Sequence, residues 1–197
     1  MAIEIRYAQP SDIPHAARTL TSAFESYPWT QWSIPRDSYR QRLFRLQYIY
    51  LSHAVANGLV VVSNELDAVA AILPPGCPDL KGSQQSEVAN LMGSRFKDMS
   101  QVKLPKRPTD SWHFATLGVQ PKQTGHGLGT ALIQECLDQV SRSSTPQIGL
   151  ETSTKSNVNL YSKHGFELVH ETHVKKGLVV YSMLYKDAGR YVMKNKP

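Results

Sequence analysis

The chain contains little cysteine. Only Cys77 and Cys136 occur among its 197 residues, and they form no CxxC pair. This spacing argues against a disulfide framework and against a cysteine zinc site, so we expect both thiols to be reduced. The nearest approach to a histidine metal motif, residues 170–173, is one residue short of HExxH, and its histidines would not share a helix face. We therefore predict that no metal is bound.

Long apolar segments are also lacking. No apolar run approaches the roughly 20 residues that span a bilayer, and residues 1–6 lack the apolar centre of a signal peptide. We expect a cytoplasmic protein that does not bind membranes. The hydrophobic content of 41% over 197 residues suits the core of one ordinary globular domain. Because no repeat or linker interrupts the chain, we predict a single domain over residues 1–197.

Positive charge is in excess but is not concentrated. The formal net charge is +6, the lysines and arginines are scattered, and the densest group is the C-terminal tail at residues 186–196. No RNA-binding or helix-turn-helix signature accompanies them, so we predict no nucleic-acid partner and keep salt-dependent nucleic-acid binding as a weaker alternative. A basic chain also attracts polyanionic small molecules.

The first half of the chain alternates helical and strand patterns. After a short strand at residues 3–7, Ser11 can cap a helix that runs to Phe24, with Pro14 tolerated in its first turn. Two prolines and two tryptophans at residues 27–35 indicate an ordered aromatic loop. A second helix is predicted over about 37–56, before Gly58, and paired strands over 59–63 and 68–73.

The second half has clearer patterns after a weak region. Within residues 81–107 we predict one helix near 87–96. The remaining pattern predicts a strand at 113–119, a glycine-rich turn with a helix after it, a strand at 148–152, a short helix at 157–164, and strands at 166–174 and 178–185.

The glycine-rich turn, residues 125–129, reads Gly-His-Gly-Leu-Gly. Such a turn between a buried strand and a helix removes side chains where backbone N–H groups converge, and the helix dipole adds partial positive charge there, so phosphate is the natural ligand. A P-loop is excluded because no Lys-Ser/Thr follows the last glycine. A Rossmann turn is excluded because Thr130 or Leu132 occupies its final glycine position.

Residues 119–129 resemble the acetyl-CoA motif of the GNAT superfamily, Val-x-Pro-x-x-(Arg/Gln)-Gly-x-Gly-x-Gly/Ala, with Thr124 at the usual Arg or Gln position. A second segment, residues 157–166, resembles the Asn…Tyr…Gly-Phe segment of the same superfamily at the expected distance downstream. The resemblance implies a mixed α/β GNAT fold: a mostly antiparallel twisted sheet with one splayed parallel pair, flanked by helices.

The resemblance also implies how a coenzyme is held. It places acetyl-CoA as co-substrate, with its diphosphate on the turn and its pantetheine arm paired like an added strand along the backbone of Leu117 and Val119. The implied coenzyme-binding residues are Leu117, Val119, Thr124, Gly125, His126, Gly127, Leu128, Gly129, Thr130 and Asn157. The family role of general acid toward the departing thiolate falls on Tyr161. A phenol pKa near 10 suits a thiol pKa of about 8.5, and the alternative is a half-buried tyrosine that only packs its helix.

A base for the attacking amine is less well defined. His113, at the start of the strand before the turn, and Glu151, late on the neighbouring strand, are the catalytic candidates, with His126 as a further choice. A structural histidine and a substrate-binding or lysine-paired glutamate are the respective alternatives. His126 can equally contact a phosphate or face water.

The likeness extends to the puromycin N-acetyltransferases of the superfamily through residues 18–28, 112–119 and 150–153. It implies an N-acyltransferase that acts on a primary amine of a small molecule by direct attack in a ternary complex. Phe24, Tyr27, Trp29 and Trp32 are the candidate acceptor contacts, with core packing as the alternative. We expect a monomer or homodimer. A sensor that binds acyl-CoA without turnover remains the second function, since Thr124 departs from the motif.

Overall fold

The computed structural model describes residues 3–187. Its strands are β1 (Ile5–Tyr7), β2 (Leu59–Ser63), β3 (Ala68–Leu73), β4 (Trp112–Val119), β5 (Gln147–Thr152), β6 (Glu167–His173) and β7 (Val179–Lys186). Its helices are α1 (Ile13–Phe24), α2 (Pro28–Ser33), α3 (Tyr39–Asn57), α4 (Gly82–Met92), α5 (Arg95–Ser100), α6 (Leu128–Arg142) and α7 (Lys155–Ser162). Short 3₁₀ turns lie at Pro10–Asp12, Pro121–Gln123 and Lys175–Gly177.

The seven strands form one sheet in the order β1-β2-β3-β4-β5-β7-β6. Within the described residues, β4 and β5 are the one parallel pair and every other neighbouring pair is antiparallel. Helix α6 supplies the long crossover that a parallel pair requires. The predicted mixed α/β fold, mostly antiparallel with one parallel pair and flanking helices, is confirmed.

The sheet has a separate apolar core on each face. Helices α1 and α3 pack on one face around Leu20 and Leu51, against the side chains of β2 and β3 that point to this face. Helices α6 and α7 cover the other face around Leu132 and Tyr161. Because both faces of the central strands are buried, β2 and β3 are continuous apolar runs rather than alternating ones.

Strands β4 and β5 separate soon after they meet. Their register contains only two pairs, Trp112 with Ile148 and His113 with Gly149, although β4 continues to Val119. On its other edge β4 pairs with β3 from His113 to Val119, with a bulge that leaves Ala115 without a partner between Phe114 and Thr116. A bulge bends and twists its strand, which here directs β4 away from β5. The β4 edge beyond His113 is therefore not paired by β5.

Three local predictions were wrong. Residues 27–35 are not simply a loop: α2 begins at Pro28, which is tolerated at a first helical position, and ends before Pro35. Asp12, rather than Ser11, precedes α1, and its carboxylate accepts the Gln9 amide and pairs with Arg6.

The weak region holds two helices rather than one. Gly93, with φ of +52°, separates α4 from α5, so the single helix predicted near residues 87–96 is wrong. Within residues 3–187 no helix combines the length and apolarity that a bilayer span requires. Most of the basic tail lies outside the described residues.

Candidate active site

The glycine-rich turn begins α6 immediately after β4 and a 3₁₀ turn. Gly125 and Gly127 have φ of +87° and +81°, a region that side chains rarely adopt, and Gly127 is the residue that precedes the helix. The first turn of α6 closes with the Ala131 amide donating to the Gly127 carbonyl at 3.0 Å. The amides of residues 128–130 precede this bond, so they have no helical acceptor and point out of the helix start.

Side chains around the turn leave its front open. A Cβ built on Gly125 would meet nothing within 4 Å, and one on Gly129 would only touch Val119 at 3.8 Å and Leu117 at 3.9 Å. Leu117, Val119 and Leu128 pack on the α6 core, so they can offer backbone rather than side-chain groups to a ligand. The turn therefore presents amide hydrogens to an unobstructed space.

The polar side chains of the turn are exposed. His126 and Thr130 face solvent, as does Thr124, whose hydroxyl lies 3.5 Å from the Gln120 carbonyl. Thr124 is thus directed back toward its own turn. This placement leaves the backbone as the main anion-binding feature of residues 124–130.

A cavity of about 1110 Å³ lies where β4 and β5 separate. Its wall includes β4 from His113 to Leu117, β5 from Leu150 to Thr152, and Asn157 and Tyr161 of α7. Helices α1, α2 and α3 and the loop at residues 104–109 complete the wall. The cavity exceeds the usual 300–1,000 Å³ of a small-molecule site, which is room for two ligands side by side.

Tyr161 lines this cavity and belongs to an aromatic cluster. Its side chain is only 6% exposed, and its ring packs edge to face on Phe114 and Phe166 at centroid distances of 5.8 and 5.4 Å. Burial raises the pKa of the phenol, and the nearby Tyr27 adds to the effect. No residue between 3 and 187 hydrogen bonds the hydroxyl, so it is a protonated donor without a protein acceptor in the described part of the chain.

His113 and Glu151 are brought together, and Arg107 joins them. Nη1 of Arg107 donates to both carboxylate oxygens of Glu151, at 3.0 and 2.8 Å, and His113 Nε2 lies 3.6 Å from Oε2 of the same carboxylate. Burial alone would raise the pKa of Glu151, but the adjacent His113 ring and the Arg107 charge outweigh it, and the net pKa is lowered. Glu151 is therefore an anion flanked by two basic side chains.

Sequence reasoning did not identify Arg107. The residue lies in the weakly patterned loop before β4, and its partner is 44 positions away. One signal was available in Gly149, an isolated glycine inside a strand, which often marks a close approach of another group. A Cβ on Gly149 would lie 2.9 Å from Cδ and 3.1 Å from Cγ of Arg107, so the arginine stem crosses β5 at that glycine.

Tyr27 and Asn157 belong to a network at the end of β5. The Tyr27 hydroxyl lies 2.8 Å from Oγ1 of Thr152 and accepts the Ser153 amide at 2.6 Å. Nδ2 of Asn157 donates to Thr152 Oγ1 at 3.1 Å, and the backbone N–H of Asn157 donates to Oγ1 of Thr154, which caps α7, at 3.3 Å. The network joins the α1–α2 turn to the start of α7, which carries Tyr161. Thr152 and Ser153 are further residues that sequence reasoning missed.

Removing the Tyr27 hydroxyl should destabilise this end of the sheet. In Tyr27→Phe the Ser153 amide loses its acceptor, and we expect the free energy of unfolding to fall by about 1–2 kcal/mol. Urea denaturation measures the change. Tyr48→Phe is the matched control, because the Tyr48 hydroxyl makes no hydrogen bond within residues 3–187 while its ring packs on Phe44. Equal stability of the two variants would contradict this role.

Three of the four aromatic residues predicted to contact the acceptor line the cavity, and one does not. Phe24, Tyr27 and Trp29 line the cavity, and the Phe24 ring meets Tyr27 edge to face at 5.3 Å. Trp32 is not among the residues of the cavity wall; it lies against Trp29 with ring centroids 5.3 Å apart. Trp32 can thus act on the cavity only through Trp29. Tyr50 of α3, which was not predicted, also lines the wall.

The arrangement of a splayed parallel pair, a glycine turn at the start of α6 and a tyrosine on α7 defines the GNAT fold. Solved structures agree on this fold over nearly the whole chain. An acetyltransferase from Corynebacterium glutamicum, described with histone acetyltransferase HPA2, has 19% identity and a TM-score of 0.77, with 95% of this chain and 98% of that chain covered. PaiA N-acetyltransferase from Thermoplasma acidophilum, solved with coenzyme A, has 14% identity, a TM-score of 0.59 and coverage of 94% and 99%.

A mosquito arylalkylamine N-acetyltransferase like 5b has the same fold, with 17% identity, a TM-score of 0.56 and coverage of 94% and 100%. A family model, the acetyltransferase (GNAT) domain, matches residues 100–186. The matched region contains β4 to β7, the glycine turn, the Arg107–Glu151–His113 cluster and Tyr161. The family model thus covers the candidate site, apart from the aromatic wall that α1, α2 and α3 provide.

Proposed function

We propose that the protein is an N-acetyltransferase that moves an acetyl group from acetyl-CoA to a primary amine of a small molecule. The observation that carries this proposal is the separation of β4 from β5: it opens a cavity lined by His113, Glu151 and Tyr161, and the glycine turn follows the same strand β4 at the start of α6. The family model of the acetyltransferase (GNAT) domain over residues 100–186 supports the same reaction.

The residues present suit coenzyme A. The turn offers the amides of residues 128–130 and open space at Gly125 for a diphosphate, and the edge of β4 near Leu117 and Val119 that β5 does not pair suits an amide-bearing pantetheine arm. Asn157 and Thr152 both line the cavity, and the hydrogen bond from Asn157 Nδ2 to Thr152 Oγ1 joins the start of α7 to the end of β5. Bound there, acetyl-CoA would supply an activated thioester carbonyl. The coenzyme A complex of the Thermoplasma relative supports this assignment.

Tyr161 is proposed as the general acid. Its hydroxyl stays protonated in the neutral pH range, because burial raises the pKa of the phenol. It donates this hydrogen to the sulfur that departs, and thereby stabilises the developing thiolate. Backbone amides of β4 near residues 117–119 are proposed to stabilise the developing oxyanion.

His113 is proposed as the base that receives the amine proton, with Glu151 as its partner. The His113 side chain lines the cavity and is 31% exposed, whereas the Glu151 side chain is 18% exposed and already paired with Arg107. With Nε2 of His113 directed to Glu151, Nδ1 is the basic nitrogen that remains for the amine. The carboxylate then stabilises the imidazolium that forms.

The acceptor is proposed to be a small molecule. Phe24, Tyr27, Trp29 and Tyr50 line the cavity, and such an aromatic surface suits a compact ligand. The sequence likeness to puromycin N-acetyltransferases in residues 18–28 and 112–119 supports an amine acceptor, as does the arylalkylamine N-acetyltransferase among the structural relatives.

Amine-dependent thiol release tests this function. The protein is incubated with acetyl-CoA and, in separate reactions, an arylalkylamine, an aminonucleoside, a polyamine, an aminoglycoside and a peptide with a free N-terminus. We expect at least one small amine to release free coenzyme A above the rate without amine, and mass spectrometry to show one added acetyl group on that amine. Thiol release that does not depend on any amine would contradict the proposal.

Binding without turnover distinguishes the alternative function. If calorimetry shows saturable acetyl-CoA binding while no amine of the panel is acetylated, the protein is a sensor rather than an enzyme. Thr124 favours this alternative. It is exposed, its hydroxyl lies near the Gln120 carbonyl, and it stands where the motif usually has an Arg or Gln side chain that could contact the diphosphate. If acetyl-CoA does not bind at all, both functions fail.

A further inference from the structure

Arg107 connects the two strands at the point where they separate. Its loop precedes β4, its stem crosses Gly149 of β5, and Gly149 is the partner of His113 in the last pair of the parallel register. From this position one guanidinium nitrogen, Nη1, reaches both oxygens of Glu151. The arginine thus spans the wall of the cavity at the level of the proposed base.

Two roles are open to a carboxylate in this position. It can anchor the ammonium group of an acceptor, or it can support His113. Both oxygens of Glu151 already accept from Arg107, and the charged side chains that act on its pKa are Arg107 and His113. A second cation would meet a carboxylate that is already neutralised and would be repelled by the guanidinium. The geometry therefore favours support of His113.

We infer that Arg107 is a positioning residue: it holds Glu151 against His113 and prevents the carboxylate from acting as the anchor for the acceptor ammonium. The inference rests on the proposed amine acetylation and adds how the amine is handled. The acceptor nitrogen is then oriented by the rest of the cavity and loses its proton to His113, while Glu151 stays an anion throughout.

The remaining titratable groups of the wall lie on other elements. They are His53 on α3, Cys77 and Asp79 after β3, Lys106 beside Arg107, Tyr27 and Tyr50 on the helical side, and Tyr161 on α7. None of them contributes to the shift of the Glu151 pKa. A substitution of Arg107 can therefore affect His113 in two ways: by moving Glu151, or by removing the positive charge of the guanidinium.

Arg107→Met separates the two roles. Methionine keeps an apolar stem over Gly149 and removes the charge and the hydrogen bonds. We expect kcat to fall by about 10-fold with KM for the amine within about twofold, since a partner that orients a catalytic group acts mainly on turnover. If Glu151 instead anchors the ammonium, the freed carboxylate should lower KM and leave kcat unchanged, and the inference fails.

The pH profile of kcat/KM gives a second readout. Loss of a positive charge favours protonation of the His113–Glu151 pair, and the reaction needs neutral His113. The acid limb of Arg107→Met should therefore move to higher pH. Arg107→Lys restores the charge, so its acid limb should lie close to that of the native protein. An acid limb that does not move in Arg107→Met contradicts the inference.

Gly149→Ala tests the same contact without substituting any charged residue. Its Cβ would displace the Arg107 stem from 2.9 Å, so we expect the kinetic effect of Arg107→Met in the same direction. Adding Gly149→Ala to Arg107→Met should cost little more, because the two changes disrupt one contact. Additive losses of kcat would show that Gly149→Ala acts elsewhere.

Lys103→Met, a loss of charge at an exposed position of the same loop, is the control and should leave the profile unchanged. An NMR titration of the His113 imidazole, with its signal assigned by comparison with His113→Gln, measures the protonation of His113 beside Glu151 and does not require catalysis. Its midpoint should rise in Arg107→Met and not in Lys103→Met. If no amine is acetylated but the midpoint rises, the proposed function fails while the link from Arg107 to His113 stands; an unmoved midpoint overturns the link itself.

Discussion

Replacing Tyr161 by phenylalanine should lower kcat by roughly 10² to 10⁴ if its hydroxyl is the general acid. The ring packs on Phe114 and Phe166, and no residue within 3–187 bonds the hydroxyl, so the variant keeps the contacts of the helix and loses only the proton donor. Thiol release at saturating acetyl-CoA and amine measures the effect. Calorimetry should give the same affinity for coenzyme A as the native protein.

The raised pKa of Tyr161 does not conflict with this role. Burial disfavours a phenolate, but it disfavours a thiolate formed beside it for the same reason. The difference between the two acids is therefore largely retained in the site, and the raised pKa keeps the phenol in its protonated, proton-donating form at neutral pH. The basic limb of the pH profile should accordingly not report Tyr161.

Tyr185→Phe is the matched control for Tyr161→Phe. The Tyr185 ring also packs on Phe166, at 5.6 Å, but it does not line the cavity. We expect its turnover to equal that of the native protein and its unfolding midpoint to be close to that of Tyr161→Phe. Unchanged turnover in Tyr161→Phe would refute the general-acid role and leave the tyrosine as a packing residue.

Features with a local signal were predictable from the sequence. The glycine turn and α6 follow from conformations that single residues impose and from an apolar repeat within one helix. The strands β2 to β5 were found within a residue or two, because each is a short apolar run bounded by turn residues. The fold followed from these elements together with the family resemblance.

Features that depend on distant contacts were not predictable. Nothing in the loop around Arg107 indicates that it meets Glu151, since the contact exists only once β4 and β5 lie side by side. Whether Trp29 or Trp32 lines the cavity depends on the phase of α2, a helix that was predicted as a loop because Pro28 and Pro35 lie at its start and just beyond its end. The network of Tyr27 with Thr152 and Ser153 likewise joins residues more than 120 positions apart.

Placing a negative charge in the glycine turn should abolish tight coenzyme binding. In Gly125→Asp the side chain would project into space in which a Cβ now meets nothing, where the diphosphate is proposed to lie. Like charges about 4 Å apart repel by roughly 1–4 kcal/mol per pair, so we expect coenzyme A to bind on the order of 100-fold more weakly, as read by calorimetry. Aspartate tolerates the positive φ of this position better than most residues, so folding should survive.

Gly177→Asp provides the matched control for that variant. Gly177 also has a positive φ, +76°, and open space around its Cβ, but it lies in the turn between β6 and β7 and not at the start of α6. The two variants therefore share backbone strain and added charge, and they differ only in position. Equal loss of affinity in both would indicate a long-range charge effect. Native affinity in Gly125→Asp would mean that the amides of this turn do not hold the diphosphate, and the proposed acetyl transfer would lose its physical basis.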